Sequence, residues 1–253
     1  MNVLIVNDDG IDCEGIQVLA NRMSLEHNVY ILAPDSNRSG VSHYINMFRA
    51  NAINRKKEGQ WCCSGFPADC TCIGLKSGLF GVDFDVVLSG INRGANMGTD
   101  IVYSGTCAGA RQAVFCGVPG IALSIDPVDY KKAEAEGYKY YALADFAAKN
   151  INTLMGLAKL QPPRMFVNVN GASLDSYKGV KISKSLCIRN YNDSFGLTGD
   201  DGHLISNFFP GKISGEYEID SDAQIVRDGY ICVNQVYADP VCNEVMDGIS
   251  FKL

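Results

Sequence analysis

Short apolar runs that each end in a polar turn recur along the first two-thirds of the chain. They occupy residues 3–6, 29–33, 86–88, 121–124 and 165–169. Runs that are apolar on both faces are typical of strands buried in a parallel sheet. Segments with one apolar helical face separate them, so strands and helices alternate. This alternation predicts an α/β fold in which a mostly parallel sheet is covered by helices on both faces.

Helical periodicity accounts for much of the intervening sequence. An amphipathic helix is predicted over 16–23, where apolar residues recur at helical spacing. Further helices are predicted after Pro67, over 106–116, and as one long helix between 131 and 160. Residues 41–63 lack helical periodicity, and we predict there a β-excursion from the sheet.

The last third of the chain follows a different pattern. Residues 180–209 are polar, contain glycine and partly alternate in hydropathy, which is typical of antiparallel strands. Residues 228–237 form one more predicted strand, which a glycine turn precedes. We therefore predict an α/β domain over 1–172 and a C-terminal β-rich arm over 173–253.

The composition excludes several classes of protein. Hydrophobic residues make up 47% of the 253 residues, which is enough for a sizeable core and excludes a disordered chain. A net charge of −6 argues against a nucleic-acid binder. The chain has neither a basic leader nor a long apolar run, so we expect a cytoplasmic protein without a membrane span. The ten cysteines lack paired C-x-x-C knuckles and are predicted to be reduced, buried thiols.

Polar residues follow three of the predicted strands. Asp8 and Asp9 follow the first strand, Ser39 follows the second, and Asn92 follows the third. Ligands of open parallel sheets bind where the carboxyl ends of the strands meet. Two adjacent carboxylates repel each other unless they are solvated or bind a cation, and ligands that are all oxygen atoms suit Mg²⁺, Mn²⁺ or Ca²⁺ better than zinc. An exposed Asp-Asp-Gly turn is the alternative interpretation.

A possible phosphate site precedes the predicted helix over 106–116. Ser104, Gly105 and Thr106 would leave backbone N–H groups open at the helix N-terminus, where the helix dipole favours an anion. Ordinary helix capping explains the same residues. The chain contains no Walker sequence, no G-x-G-x-x-G motif and no G-x-S-x-G elbow. The chain therefore lacks the usual signatures of nucleoside triphosphatases, dinucleotide oxidoreductases and serine hydrolases.

Four ordered segments resemble the signature blocks of the SurE family of survival-protein nucleotidases. They are VNDDGI (6–11), APDSNRSG (33–40), SGINRGAN (89–96) and VYSGT (102–106). The segment GFPADC and the acidic residues around Asp220 and Asp228 also resemble the family. The resemblance therefore covers essentially the full chain.

The resemblance implies a Rossmann-like three-layer sandwich whose C-terminal arm is exchanged within a homodimer or homotetramer. It implies hydrolysis of nucleoside 5′-monophosphates, with 3′-monophosphates and short polyphosphate as further substrates. It also implies one divalent cation per subunit, Mg²⁺ or Mn²⁺. The implied metal ligands are Asp8, Asp9, Ser39 and Asn92, and the implied phosphate-binding residues are Asn96, Ser104, Gly105 and Thr106.

For the mechanism we expect attack by a metal-activated water, with Asp8 as the candidate base and both aspartates as catalytic residues. Two alternatives stay open: an aspartyl-phosphate intermediate, and a catalytically silent nucleotide- or metal-binding module of the same fold. The chain also departs from the family pattern at two places. Cys13-Glu14 replaces the usual Ala-Pro, and Phe66 replaces a common threonine. These departures leave metal affinity and the preferred base open.

Overall fold

The first apolar run forms a strand in the middle of the main sheet. The computed structural model describes residues 1–127, 129–200 and 202–240. Its strands are β1 (Asn2–Val6), β2 (Asn28–Pro34), β3 (Ile53–Lys57), β4 (Gln60–Cys63), β5 (Val86–Arg93), β6 (Gly120–Asp126), β7 (Met165–Ala172), β8 (Val180–Ile182), β9 (Ile188–Tyr191), β10 (Ser194–Asp200), β11 (His203–Phe209), β12 (Ile213–Glu216) and β13 (Ile231–Tyr237). Its helices are α1 (Glu14–Met23), α2 (Pro67–Lys76), α3 (Asp100–Tyr103), α4 (Gly105–Phe115), α5 (Tyr130–Glu136), α6 (Tyr141–Lys149), α7 (Ile151–Leu157) and α8 (Asp222–Arg227).

The main sheet has nine strands in the order β3-β4-β2-β1-β5-β6-β7-β13-β8. Within this order, the six strands β4-β2-β1-β5-β6-β7 all run parallel to their neighbours in that group. Strand β3 is antiparallel to β4, and β13 is antiparallel to β7. The predicted β-excursion over 41–63 therefore includes two strands, β3 and β4, that extend one edge of this sheet.

Alternate residues of β1 face two different layers of helices, because successive side chains of a strand point to opposite faces. Val3 and Ile5 are fully buried in a cluster that includes residues of α1 and α6. Leu4 and Val6 are fully buried in the cluster on the other face, which includes residues of α2 and α4. Helices therefore cover both faces of a mostly parallel sheet, and the predicted α/β three-layer sandwich is confirmed.

The prediction of one long helix between 131 and 160 was wrong. The structure has three shorter helices there, α5, α6 and α7. Gly137 ends α5 with a φ of +86°, a conformation that glycine adopts at no steric cost. Asn150 separates α6 from α7, and its side chain donates a hydrogen bond back to Phe146 O at 2.9 Å. Across the described part of the chain, no helix is both long enough and apolar enough to cross a bilayer.

The C-terminal region contributes to the main sheet as well as forming separate ribbons. Strand β13 lies between β7 and β8 in the main sheet, whereas β10 with β11 and β9 with β12 form two antiparallel ribbons. Helix α8 precedes β13 and was not predicted. The division of the chain at residue 172 remains a prediction, and the last part of the predicted arm, 241–253, lies outside the described residues.

Candidate active site

The carboxyl ends of β1 and β5, the start of α4 and the C-terminal ribbons enclose a cavity of about 750 Å³. Five of the predicted site residues line it: Asp8, Ser39, Asn92, Asn96 and Ser104. Asp9, Gly105 and Thr106 adjoin this wall through their contacts with its residues. The structure thus brings the three predicted strand ends and the helix N-terminus together around one space.

Asp8 lies at the wall of this cavity with only 3% of its surface exposed. The Thr106 hydroxyl donates to Oδ1 at 2.6 Å, and the Thr106 N–H donates to Oδ2 at 3.1 Å. Burial and, after it, the negative charge of Asp9 raise the pKa of Asp8 to about 6, although the Thr106 hydrogen bonds oppose the shift. The anionic form of Asp8 is therefore costly, and a bound cation would relieve that cost.

Asp9 points toward the end of β5. The Arg93 N–H donates to its Oδ2 at 3.0 Å. Burial raises the pKa of the Asp9 carboxyl, and the hydrogen bond and charge of Arg93 oppose this effect. The two adjacent carboxylates that the sequence predicted after the first strand thus follow β1, and both have a raised pKa.

The loop after β2 is attached to the main chain of Asp8. The Arg38 N–H donates to Asp8 O at 2.7 Å, and Asn37 Oδ1 accepts from the Ser39 N–H at 2.7 Å. At the end of β5, Asn92 Nδ2 donates to Gly94 O at 2.9 Å. This bond uses the amide nitrogen of Asn92, so the side-chain oxygen is the atom suited to a cation.

These residues offer two carboxylates, a hydroxyl and an amide oxygen, a donor set that fits a hard divalent cation such as Mg²⁺ or Mn²⁺. The raised pKa of Asp8 is a second observation in favour of a cation, since it reflects negative charge that burial leaves poorly compensated. Within the described residues, no group of three or more His, Cys, Asp or Glu side chains forms a metal site. The candidate site instead combines two acidic side chains with a hydroxyl and an amide oxygen.

The first turn of α4 approaches the Asp8 side chain very closely. Ser104 Oγ caps this helix by accepting from the Cys107 N–H at 2.9 Å. A Cβ atom on Gly105 would lie 2.8 Å from Asp8 Cβ and 2.9 Å from Asp8 Oδ2. Glycine is therefore required for this approach. Thr106 directs both its hydroxyl and its N–H to Asp8, so the structure places it as a group that orients Asp8; its predicted phosphate contact stays a prediction.

Asn96 is held by a network of buried asparagines that the sequence analysis missed. Its N–H donates to Asn170 Oδ1 at 2.9 Å, and its carbonyl oxygen accepts from Asn168 Nδ2 at 2.9 Å. Its own side chain donates to Ser124 Oγ at 2.8 Å. Both partner asparagines lie on β7, where the alternation Asn168-Val-Asn170 inside an apolar run was an available signal. The network fixes Asn96 at the cavity wall.

The C-terminal region supplies a second group of residues that the sequence analysis missed. Arg189 donates to Asp100 Oδ2 at 2.6 Å, and the Tyr191 hydroxyl donates to the other oxygen of the same carboxylate. All three side chains line the cavity, together with Tyr130. The lining of the cavity therefore includes the carboxyl of Asp8 and also an arginine that is paired with Asp100.

Both departures from the family pattern lie beside the site. The Cys13 thiol donates to the main-chain oxygen of Asp9 at 3.3 Å. The ring of Phe66 packs against Tyr44, with ring centres 4.5 Å apart, and under the guanidinium of Arg38. Each change therefore touches a residue that supports the site, and neither replaces a candidate ligand.

Comparison with known proteins identifies the family to which the chain belongs. A family model described as "Survival protein SurE" matches residues 3–192. The "5′-nucleotidase SurE" of Treponema pallidum (strain Nichols) is 41% identical over 181 residues, which cover 70% of this chain and 93% of that protein. The "5′-nucleotidase SurE" of Acinetobacter baumannii (strain SDF) is 32% identical over the full length of both chains. The crystal structure of the SurE protein from Aquifex aeolicus superposes with a TM-score of 0.80 at 28% identity and covers 98% of both chains. The chain therefore belongs to the SurE family.

Proposed function

We propose that this chain is a metal-dependent phosphomonoesterase that hydrolyses nucleoside 5′-monophosphates to nucleoside and inorganic phosphate. The observation that carries the proposal is the contact between Asp8 and the first turn of α4. This contact places Asp8, with Asp9 next to it in the chain, beside the N-terminus of α4 at the cavity. Such a pairing suits a cation and a phosphate bound next to each other. The names of the two bacterial relatives support the nucleotidase assignment.

Asp8, Asp9, Ser39 and Asn92 are the residues that would hold one divalent cation, Mg²⁺ or Mn²⁺. When bound, such a cation neutralises phosphate charge and lowers the pKa of a coordinated water. The chain's own residues position the groups around it. Thr106 fixes the orientation of the Asp8 carboxyl, and the Arg93 N–H does the same for Asp9. Asp8 is the candidate that would take a proton from water.

The phosphate would lie against the start of α4. Ser104 lines the cavity there, and the N-terminal end of the helix dipole favours an anion. Asn96 also lines the cavity, and its hydrogen bonds to Asn170 and Ser124 hold it in position. Together these groups would hold the phosphate oxygens while water attacks.

The rest of the cavity has room for a nucleoside. Its volume of about 750 Å³ is in the usual range for small-molecule sites. Tyr103, Tyr130 and Tyr191 line it and offer aromatic faces against which a base could stack. Hydrolysis of 3′-monophosphates and short polyphosphate belongs to the same proposal, because both present the same anionic group to the site.

We also propose assembly as a homodimer or homotetramer through the C-terminal arm, in the cytoplasm. The β10–β11 ribbon supports assembly, since it exposes 70% of Phe195 and 66% of Leu197. Exposed apolar surface of this kind is typical of interaction sites.

The direct test is an assay of nucleoside 5′- and 3′-monophosphates and polyphosphate with Mg²⁺, Mn²⁺ or EDTA. We expect phosphate release only with metal, and we expect Asp9→Asn to lose more than about 100-fold in kcat/KM, since removing even a supporting residue of a metal ligand costs about 10- to 100-fold. Asp12→Asn is the matched control, because Asp12 is exposed and pairs with Lys56. Metal-independent turnover, or an Asp9→Asn enzyme as active as Asp12→Asn, would refute the proposal.

A further inference from the structure

Two half-buried thiols meet between α2 and the end of α4, outside the residues that line the cavity. Cys72 lies on α2, and Cys116 directly follows α4. The two thiols are hydrogen-bonded to each other. Gln112 Nε2 also contacts both sulfur atoms, at 3.0 Å from Cys72 Sγ and 3.6 Å from Cys116 Sγ. One amide group thus holds the two sulfurs together.

The orientation of Gln112 is itself fixed. His43 Nε2 lies 2.8 Å from Gln112 Oε1, and as a donor to that oxygen it turns the amide nitrogen toward the sulfurs. The hydrogen bond from Cys72 lowers the pKa of Cys116 to about 6, with further contributions from Gln112 and Lys76. The same hydrogen bond raises the pKa of Cys72. Cys116 is therefore the candidate for the attacking thiolate, and Cys72 is the candidate for the thiol that retains its proton.

A second thiol pair in the chain provides a comparison. Cys63 and Cys70 are hydrogen-bonded to each other in the same way, but both are fully buried. Dissolved reagents therefore do not reach this second pair in the folded protein. Cys72 and Cys116, by contrast, each have a thiol partner and are also partly exposed to solvent.

We propose that Cys72 and Cys116 form a dithiol site that reacts with low-molecular-weight disulfides and closes a disulfide between α2 and the end of α4. The Cys116 thiolate attacks one sulfur of the reagent, the reagent's S–S bond breaks, and one half leaves as a thiolate. The departing thiolate takes the Cys72 proton. Cys72 Sγ then attacks Cys116 Sγ, and the second half leaves as a thiolate that takes a proton from water. Two protein thiols are oxidised, and one disulfide is reduced to two thiols.

The experiment treats the full-length protein with glutathione disulfide, blocks the remaining thiols with iodoacetamide and maps tryptic peptides by mass spectrometry. Trypsin places Cys72 in peptide 58–76 and Cys116 in peptide 112–131. We expect these two peptides to appear linked, and dithiothreitol to separate them. Fragmentation of the linked species should locate the bond at Cys72. This measurement needs no variant.

Two variants test the assignment. Cys72→Ser should abolish the link and leave glutathione on peptide 112–131, because the resolving thiol is missing. Cys63→Ser is the matched control on the same peptide and should retain the link. The proposal is overturned if wild-type protein shows no link between the peptides, if Cys72→Ser retains it, or if Cys63→Ser loses it.

Discussion

At the scale of single residues, the site depends on the cost of charging Asp8. Burial and the neighbouring Asp9 raise the pKa of Asp8 from 3.8 to about 6. Between these two pH values and without a cation, Asp8 in the folded protein therefore keeps its proton. The same residue has already released its proton in the unfolded chain. The stability associated with that proton is fully present below pH 3.8 and is lost as the pH rises through 6.

Asp8→Asn in EDTA should therefore flatten the dependence of stability on pH. The amide keeps the shape of the carboxyl, with Oδ1 able to accept from the Thr106 N–H and Nδ2 able to donate to the Thr106 hydroxyl. At pH 8 we expect the variant to gain about 3 kcal/mol in unfolding free energy relative to wild type, and no gain at pH 3.5. Urea denaturation at both pH values measures this. A gain that does not change between the two pH values would contradict the assignment.

At the scale of elements, the closeness of α4 to β1 is set by one position. The Cβ that an alanine would add at Gly105 falls 2.8 Å from the Asp8 side chain and 3.2 Å from Pro67 Cγ. The helix would have to move away from the end of β1. Because Thr106 follows immediately, such a movement would also disturb both hydrogen bonds to Asp8.

Gly105→Ala should therefore lower both stability and activity. We expect a loss of about 1–3 kcal/mol in unfolding free energy, which is usual for overpacking, and a fall in kcat/KM for a nucleoside 5′-monophosphate. The matched control is Gly156→Ala in α7, where the added Cβ meets open space. We expect this variant to gain up to about 1 kcal/mol in unfolding free energy. Urea denaturation and phosphate release compare the two variants. Equal stability and activity of the two would show that Gly105 does not set this contact.

At the scale of the whole molecule, the sequence predicted those strands and site residues that local patterns determine. Apolar runs located β1, β5 and β7, and the strand-end rule located Asp8, Asp9 and Asn92 at one edge. The pairing of Arg189 with Asp100 joins residues that are distant in the chain, so no local pattern indicates it. The placement of β13 between β7 and β8 likewise depends on pairing between strands that are distant in the chain, which no local pattern indicates.

The central claim is that one divalent cation binds through oxygen atoms of Asp8, Asp9, Ser39 and Asn92. The most direct measurement is the anomalous scattering of a crystal grown with Mn²⁺ from protein shown to hydrolyse AMP. We predict one strong anomalous peak among these four side chains, and its loss in Asp9→Asn crystals. An active protein whose crystals show no manganese between these side chains would contradict the account.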